Sequence, residues 1–247
     1  MQNLRYVGKN LFIEKLSIKN ILKKQKTPFY IYSENQIITN FLKFKNTFKK
    51  TNPLICFAAK SNSNLNILRV LGGLGAGADV VSGGELLKAL KAGIKAKKIV
   101  FSGVGKTEEE LKIAINKNIL LINCESESEA KLVNSLAKKL RKKVSIGFRL
   151  NPNVDAKTHK NISTGKAENK FGLSIKSFKI FLKTINSLKN IKLDALSVHI
   201  GSQILNDAPF RKTLSVMSKL IKEVRLNLKY VDLGGGFGIN YTNKEKP

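Results

Sequence analysis

Residues 78–93 read Ala-Asp-Val-Val-Ser-Gly-Gly-Glu-Leu-Leu-Lys-Ala-Leu-Lys-Ala-Gly and contain one complete strand–turn–helix unit. The first four residues predict a short strand. Ser82, with Glu85 three positions later, forms a capping-box pattern, which indicates that an amphipathic helix begins here. Gly93 lies where a glycine commonly ends a helix. The stretch therefore predicts a strand joined directly to the helix that follows it.

The same kind of unit recurs along the chain. Two further capping-box patterns, Thr107 with Glu110 and Ser126 with Glu129, each follow a strand-like run. This alternation predicts right-handed β-α-β units and a parallel sheet, either as a barrel or as an open doubly wound sheet. Because the pattern shows no obvious switch point, we favour a TIM-type barrel. Seven strands are one short of eight, so we expect a barrel that is incomplete at its C-terminus or that is closed by another element. The seven candidate strands cover residues 54–59, 78–81, 99–102, 119–123, 144–150, 195–200 and 230–233.

Length and composition limit the class of protein. The 247 residues are enough for one α/β barrel, and 42% hydrophobic with 25% charged residues is typical of a globular chain. No apolar run is as long as a membrane span and the first residues contain no signal-peptide core, so we expect a cytoplasmic protein. Cys56 and Cys124 lie in apolar strand-like runs, which favours buried free thiols over a disulfide or a metal site.

The net charge of +28 raises the question of nucleic-acid binding. The lysines occur as pairs spread through the chain, mostly on the polar faces of helical segments. No zinc-finger spacing, aromatic RNA-binding signature or basic tail accompanies them. We interpret the charge as a lysine-rich composition on solvated faces and predict no specific nucleic-acid partner. Incidental binding of polyanions at low salt stays open.

Polar residues follow most of the candidate strands. Lys60 comes directly after the first strand, Asp79 lies in the second, and Arg149 closes the fifth. His199 closes the sixth strand, and the glycines 234–236 follow the seventh. Since catalytic groups of a parallel barrel come from the carboxyl ends of its strands, we expect these residues to meet at one rim.

Each of these residues can have either a purely structural role or a role in binding or catalysis. A lysine after a strand usually extends into solvent, but burial lowers its pKa and makes it a nucleophile. Consecutive glycines form either a tight turn or a phosphate cradle, and His199 is either a structural hydrogen-bonding group or a platform for a flat ring. Arg149 could pair with a cofactor oxygen or with a core carboxylate such as Asp79. A lysine, a phosphate cradle and a stacking imidazole on one rim together describe a site for pyridoxal 5′-phosphate.

The motifs that carry this chemistry resemble those of the diaminopimelate decarboxylase family. They occur in the family's order and extend over nearly the whole chain. The matching segments are Phe57-Ala-Ala-Lys-Ser-Asn62, Gly77-Ala-Asp-Val-Val-Ser-Gly-Gly-Glu85, Phe101-Ser-Gly-Val-Gly-Lys106, Arg149-Leu-Asn-Pro152, Thr158-His159, Ser163-Thr-Gly165, Lys170-Phe-Gly172, His199-Ile-Gly-Ser-Gln203 and Asp232-Leu-Gly-Gly-Gly236.

The resemblance implies an alanine-racemase-like barrel formed by residues 33–247, with residues 1–32 contributing to a separate β domain. It also implies a homodimer that converts meso-2,6-diaminopimelate to L-lysine and carbon dioxide. By position, Lys60 is then the Schiff-base lysine and His199 stacks on the cofactor ring. The phosphate is held by Ser202 with Gly234, Gly235 and Gly236, and Asp79 and Arg149 support the lysine and the cofactor.

Some family features are not found in these 247 residues. Ala59 and Ser61 stand where the family often has Val and Ala. The family's Glu-Pro-Gly-Arg motif, a later substrate arginine, the catalytic cysteine and a tyrosine near the phosphate do not occur. Because the glutamate of that motif protonates the pyridine nitrogen, we expect a fragment with little decarboxylase activity on its own. A decarboxylase of another amino acid, a racemase, and a non-catalytic cofactor- or polyanion-binding protein are the alternatives.

Overall fold

The computed structural model describes residues 3–156 and 171–241 of the chain. The chain begins with a small antiparallel sheet of β1 (Leu4–Val7), β2 (Asn10–Ile13) and β3 (Leu16–Ser17). Two helices follow, α1 (Ile18–Leu22) and α2 (Glu34–Thr47). Glu14 links the small sheet to α2, because its carboxylate accepts hydrogen bonds from Ser33 and Asn35 at the start of that helix. The assignment of residues 1–32 to a second β domain stays a prediction.

The main sheet is parallel, and its strands follow one another in chain order. It is formed by β4 (Cys56–Ala58), β5 (Gly77–Val80), β6 (Ile99–Phe101), β7 (Leu121–Cys124), β8 (Val144–Asn151), β10 (Ile191–Val198) and β11 (Tyr230–Asp232), while β9 (Leu173–Ser174) pairs with the end of β8. All seven predicted strands are therefore confirmed. The largest error is in β10, which starts four residues earlier than predicted because the polar Lys192 and Asp194 interrupt its apolar pattern.

The sheet is curled like part of a barrel. Asn123 on β7 donates a hydrogen bond to Asp232 on β11 at 3.0 Å, although β8 and β10 separate these strands in the sheet. Such a contact across the concave side is possible only if the sheet closes toward itself. In the described residues β4 and β11 are the two open edges, and Val231 and Leu233 at the second edge are exposed. The predicted TIM-type barrel is confirmed for the seven strands that the described residues contain.

Helices cover the outer side of the sheet and enclose the main core. The largest fully buried side chains include Leu86, Phe101, Phe148 and Phe178, and burial of such apolar surface is the dominant favourable term in folding. Cys124 is buried and Cys56 half-buried, and both are free thiols as predicted. None of the described helices is long and apolar enough to cross a membrane. The covering helices are α3 (Leu65–Gly73), α4 (Gly83–Lys91), α5 (Glu108–Asn116), α6 (Glu127–Lys139), α7 (Ile175–Ile185) and α8 (Ala208–Glu223).

The predicted helix starts are correct, but only one is a complete capping box. Ser82, Thr107 and Ser126 accept hydrogen bonds from the third residue of α4, α5 and α6. The reciprocal bond forms only between Glu110 and Thr107. The carboxylates of Glu85 and Glu129 instead accept from the backbone N–H of the residue before the cap, at 2.9 Å and 2.7 Å. These glutamates thereby fix the ends of β5 and β7, where site residues lie.

The six segments that lead from α3–α8 into the next strand form one surface, at the amino ends of the strands. Hydrogen bonds join these segments to one another or to an adjoining helix end or strand start: Lys98 Nζ to Gly75 O, Leu120 N to Ala96 O, Lys142 Nζ to Asn116 O of α5, and Val144 N of β8 to Asn190 O. The segments contain ten lysine or arginine residues and no aspartate or glutamate. Lysine pairs that are scattered in the sequence are thus gathered by the topology. We call this surface the basic face; it comprises residues 74–76, 92–98, 117–120, 140–143, 186–190 and 224–229.

Candidate active site

Lys60 is placed by a single 3-10 turn directly after β4. The turn, Ala59–Ser61, begins with the fully buried Ala59, and its geometry is fixed by a 2.7 Å hydrogen bond from Ser61 Oγ to Ala58 O. The Lys60 side chain itself is exposed at the rim. The predicted position at a strand end is correct, and the lysine is open to a ligand entering from that side.

Asp79 points from β5 into the concave side of the sheet. Its Oδ1 is buried and has no hydrogen-bond partner. Burial raises the pKa of this carboxyl to about 6, and the negative charge of Asp232 adds to the rise, while Ser102 and Lys60 oppose it. An unpaired buried acceptor is costly, so this oxygen is suited to receive a donor from a lysine or a ligand.

His199 is a neutral imidazole at physiological pH. Burial lowers its pKa to about 4, and the positive charges of Arg149 and Lys60 contribute further. Its Nδ1 accepts a 3.3 Å hydrogen bond from the backbone N–H of Gly235, so the proton of the neutral ring lies on Nε2. The ring is thus hydrogen-bonded to the glycine loop after β11. Lys60 and Arg149 are near enough for their positive charges to act on the same imidazole.

Arg149 pairs with Glu125 and not with Asp79. Its guanidinium donates to Glu125 Oε1 at 2.9 Å and lies 4.9 Å from the centre of the Phe171 ring. The other oxygen of Glu125 accepts from Gly172 N at 3.0 Å. A core carboxylate was one of the two predicted partners of Arg149, and the carboxylate that pairs with it is Glu125, where Asp79 had been the example. Glu125 had been placed at the rim by its position after a strand, but its role as the partner of Arg149 was not predicted.

The glycine loop fits closely against the chain that follows β10. A Cβ on Gly236 would lie 1.9 Å from Gly201 O, and one on Gly234 would lie 2.4 Å from Val198 O, and both glycines have left-handed φ values. A Cβ on Gly235 would meet nothing within 4 Å. The loop therefore needs glycine at two positions for its own packing, and at the third it leaves open space; the exposed Ser202 lies beside the loop at Gly236. This is the kind of cradle in which backbone N–H groups can approach a phosphate.

Asp232 anchors this loop and had no predicted role of its own. Its Oδ1 accepts from Gly234 N at 2.8 Å, and its Oδ2 accepts from Asn123 and Ser197, both at 3.0 Å. These polar side chains fill a part of the barrel interior where bulky apolar residues are usual. The inner surface below the rim is thus a hydrogen-bonded support for the loop.

The structure brings Lys60, Asp79, Arg149, His199 and the glycine loop to one rim, as expected. Other motifs of the resemblance, at residues 158–159, 163–165 and 170, lie outside the described residues. The Gly103–Lys106 segment, which could be mistaken for a phosphate loop, is structural. The Lys106 ammonium is buried and bonds Glu129, Gly103 O and Asn123 O. Among the described residues no His, Cys, Asp and Glu cluster could hold a metal ion.

Asp79 and His199 should give protein stability two opposing pH dependences. The folded state holds the Asp79 proton up to about pH 6, whereas the unfolded chain releases it near its ordinary pKa of 3.8, so stability falls as pH rises through this window. The unfolded chain protonates His199 near pH 6.5 and the folded state only near pH 4, so stability falls as pH falls through that window. From pH 4 to pH 7, the unfolding free energy of Asp79→Asn should rise relative to wild type, and that of His199→Gln should fall.

Each change should amount to about 2–3 kcal/mol over the window. Urea unfolding at a series of pH values, without added ligand, measures both. Two variants whose stability follows the wild-type pH profile would show that neither group is perturbed in the fold.

Comparisons with known proteins agree on one group of relatives. Residues 34–247 match the family described as pyridoxal-dependent decarboxylase, pyridoxal binding domain. The chain is 42% identical to a diaminopimelate decarboxylase of Aquifex aeolicus over 98% of its own length and 58% of the relative. It is 46% identical to one of Campylobacter jejuni over 93% of its length and 58% of the relative.

Solved structures give the same result. The crystal structure of diaminopimelate decarboxylase from Helicobacter pylori complexed with L-lysine matches with a TM-score of 0.88 at 42% identity, covering 92% of this chain and 58% of that one. The enzyme from M. jannaschii in co-complex with L-lysine matches with a TM-score of 0.90 at 36% identity, covering 99% and 59%. The chain thus spans 58% of the length of the first curated relatives it matches.

Proposed function

This chain belongs to the family of pyridoxal-dependent decarboxylases, and from that membership we propose that its residues bind pyridoxal 5′-phosphate for the decarboxylation of meso-2,6-diaminopimelate to L-lysine and carbon dioxide. The observation that carries the proposal is the rim on which Lys60, the neutral His199 and the glycine loop meet, with His199 bonded to Gly235. The identity of 42% and 46% to diaminopimelate decarboxylases supports the substrate. We further propose that the enzyme is a cytoplasmic homodimer, as the family resemblance implies.

The residues of the rim fit the parts of this cofactor. Lys60 would hold it covalently through its ε-amino group, and the open space at Gly235 would receive its phosphate. Because the N–H groups of Gly234 and Gly235 donate to Asp232 and His199, the phosphate would be held by the Gly236 N–H and the Ser202 hydroxyl. When bound, pyridoxal phosphate supplies the electron sink for the electron pair that the departing carboxylate leaves behind.

The charged residues of the rim would control protonation around that ring. His199, held neutral by burial and by Arg149, would lie against the flat ring without adding a positive charge. Asp79, with its unpaired Oδ1, would orient the ammonium of Lys60 whenever the lysine is not bound to the cofactor. Glu125 fixes Arg149 at 2.9 Å, so the guanidinium would remain at the rim as a stationary positive charge.

The Lys60→Ala variant tests the proposal directly. Titration of the 247-residue chain with pyridoxal phosphate should produce the absorbance band of a covalently bound cofactor, and borohydride reduction should leave the modification on the peptide that contains Lys60. The variant should show no such band, because the amine that forms the covalent bond is removed. Lys131→Ala, which removes an exposed helix lysine, serves as the matched control and should behave like wild type. A band that persists in Lys60→Ala, or modification at another lysine, would refute the assignment.

A further inference from the structure

Among the described residues, the two ends of the barrel differ in charge. The basic face carries ten cationic side chains and no acidic one, whereas the described segments that follow the strands at the opposite rim carry two cationic and three acidic residues. If the charge reflected only a lysine-rich composition, lysine side chains would be distributed over both ends of the barrel. Asp194 beside the basic face is fully buried and is bound by Ser145, Lys192 and Lys229, and Glu223 at the end of α8 pairs with Lys179. These carboxylates offset only a few of the ten cations, so most of the positive field of this surface is not neutralised within the described chain.

Helix dipoles explain part of this pattern but not its extent. Every segment of the basic face follows the C-terminus of a helix, where a cation gains about 0.3–1 kcal/mol. That gain is confined to the last turn, yet residues 141–143 are three consecutive cations beyond α6. Lys117, Lys143 and Lys189 are exposed and form no ion pair with any carboxylate in the described ranges. They are available to an external anion.

The basic face also has a concave part. A cavity of about 450 Å³ opens between residues 140–143 and 186–190, with the exposed Lys143, Lys189 and Lys192 at its mouth. Half-buried aliphatic side chains such as Leu188 and Leu226 form its floor. None of the large exposed apolar side chains of the described chain lies in the segments of the basic face. A membrane-binding surface needs apolar side chains that protrude into the lipid, whereas here they are recessed.

We propose that the basic face binds single-stranded nucleic acid through its phosphates, independently of base sequence. The lysine and arginine side chains of successive segments neutralise consecutive phosphates, and the recess between Lys143 and Lys189 accepts an unpaired base by apolar contact with its aliphatic floor, without aromatic stacking. The surface is at the opposite end of the barrel from Lys60, so binding there does not depend on the cofactor site.

Two double variants with the same change in charge test the proposal. Lys143→Glu with Lys189→Glu alters the basic face, and Lys176→Glu with Lys212→Glu alters exposed lysines near the starts of α7 and α8, toward the other rim. Binding of the 247-residue chain to labelled oligouridylate and oligothymidylate is measured by fluorescence anisotropy at several salt concentrations, and circular dichroism confirms folding. A milder pair, Lys143→Gln with Lys189→Gln, repeats the test if the first variant does not fold.

The basic-face variant should bind both oligonucleotides at least about tenfold more weakly than wild type, and its salt slope should fall by about 0.7 for each phosphate that the protein no longer neutralises. The control should stay within about twofold of wild type. Equal weakening in both variants would mean that only the total charge matters and would overturn the proposal. The proposal would also be overturned if wild type bound phosphatidylserine vesicles but no oligonucleotide, and if the basic-face variant lost that vesicle binding.

Discussion

Lys106→Ala is expected to lower the free energy of unfolding by about 3 kcal/mol, because it leaves the largely buried Glu129 carboxylate without its cation and two carbonyl groups without their donor. The ammonium is 1% exposed and donates to Glu129, Gly103 O and Asn123 O at 2.6–2.7 Å. Glu129 in turn fixes the backbone of Glu125, the partner of Arg149. Urea unfolding monitored by circular dichroism measures the loss.

Lys131→Ala is the matched control for this experiment. Its ion pair with Glu127 has the same 2.7 Å length but joins two side chains that are 59% and 41% exposed, so its loss should cost no more than about 0.5 kcal/mol. Replacing both buried partners, as in Lys106→Met with Glu129→Leu, should recover part of the stability, since no unpaired charge then remains. Similar losses in the buried and the exposed variant would contradict the assigned role of Lys106.

Gly236→Ala and Gly235→Ala should separate the packing of the glycine loop from its ligand-binding role. In Gly236→Ala the new Cβ would lie 1.9 Å from Gly201 O at a left-handed φ of 88°, so the loop must move. We expect a loss of about 2–4 kcal/mol in unfolding free energy, together with a loss of cofactor affinity. Gly235→Ala should change stability by less than about 0.5 kcal/mol, because nothing lies within 4 Å of its new methyl group.

The affinity of Gly235→Ala for pyridoxal phosphate should nevertheless fall, because the methyl group would occupy the space assigned to the phosphate. Pyridoxal, which has no phosphate, is the matched ligand and should bind this variant and wild type equally. Titration by absorbance with both ligands measures the difference. If Gly235→Ala binds pyridoxal phosphate as tightly as wild type, the phosphate lies elsewhere.

Local patterns in the sequence predicted the parts of the fold that depend on neighbouring residues. The seven strands and the caps at Ser82, Thr107 and Ser126 are correct because alternation and capping are decided within a few positions. The rim residues could also be predicted, since parallel strands bring their carboxyl ends together. What could not be predicted depends on how distant strands meet in space: the Arg149–Glu125 pair joins two strand ends, and Asp232 reaches Asn123 across the barrel.

The basic face illustrates the same limit. Lys98 and Lys143 belong to lysine pairs that are far apart in the sequence, and these pairs were interpreted as charges on the solvated faces of helical segments. Only the repeated β-α-β topology places them at one end of the barrel, where they add their fields. The resemblance to the family could not reveal this surface, because the described site residues of its motifs, such as Lys60 and His199, lie at the other rim.

The open edge at β11 has a consequence for how the protein behaves in concentrated solution. No described strand pairs with the outer side of β11, and an edge strand with exposed side chains nearby, such as Val231 and Leu233, is a template for pairing with a second molecule. The net charge of +28 keeps molecules apart at low ionic strength, but a screening length near roughly 8 Å in physiological salt weakens this repulsion. Ionic strength therefore governs the colloidal stability of the chain: salt that screens the lysines also brings the exposed edges of two copies within reach of each other.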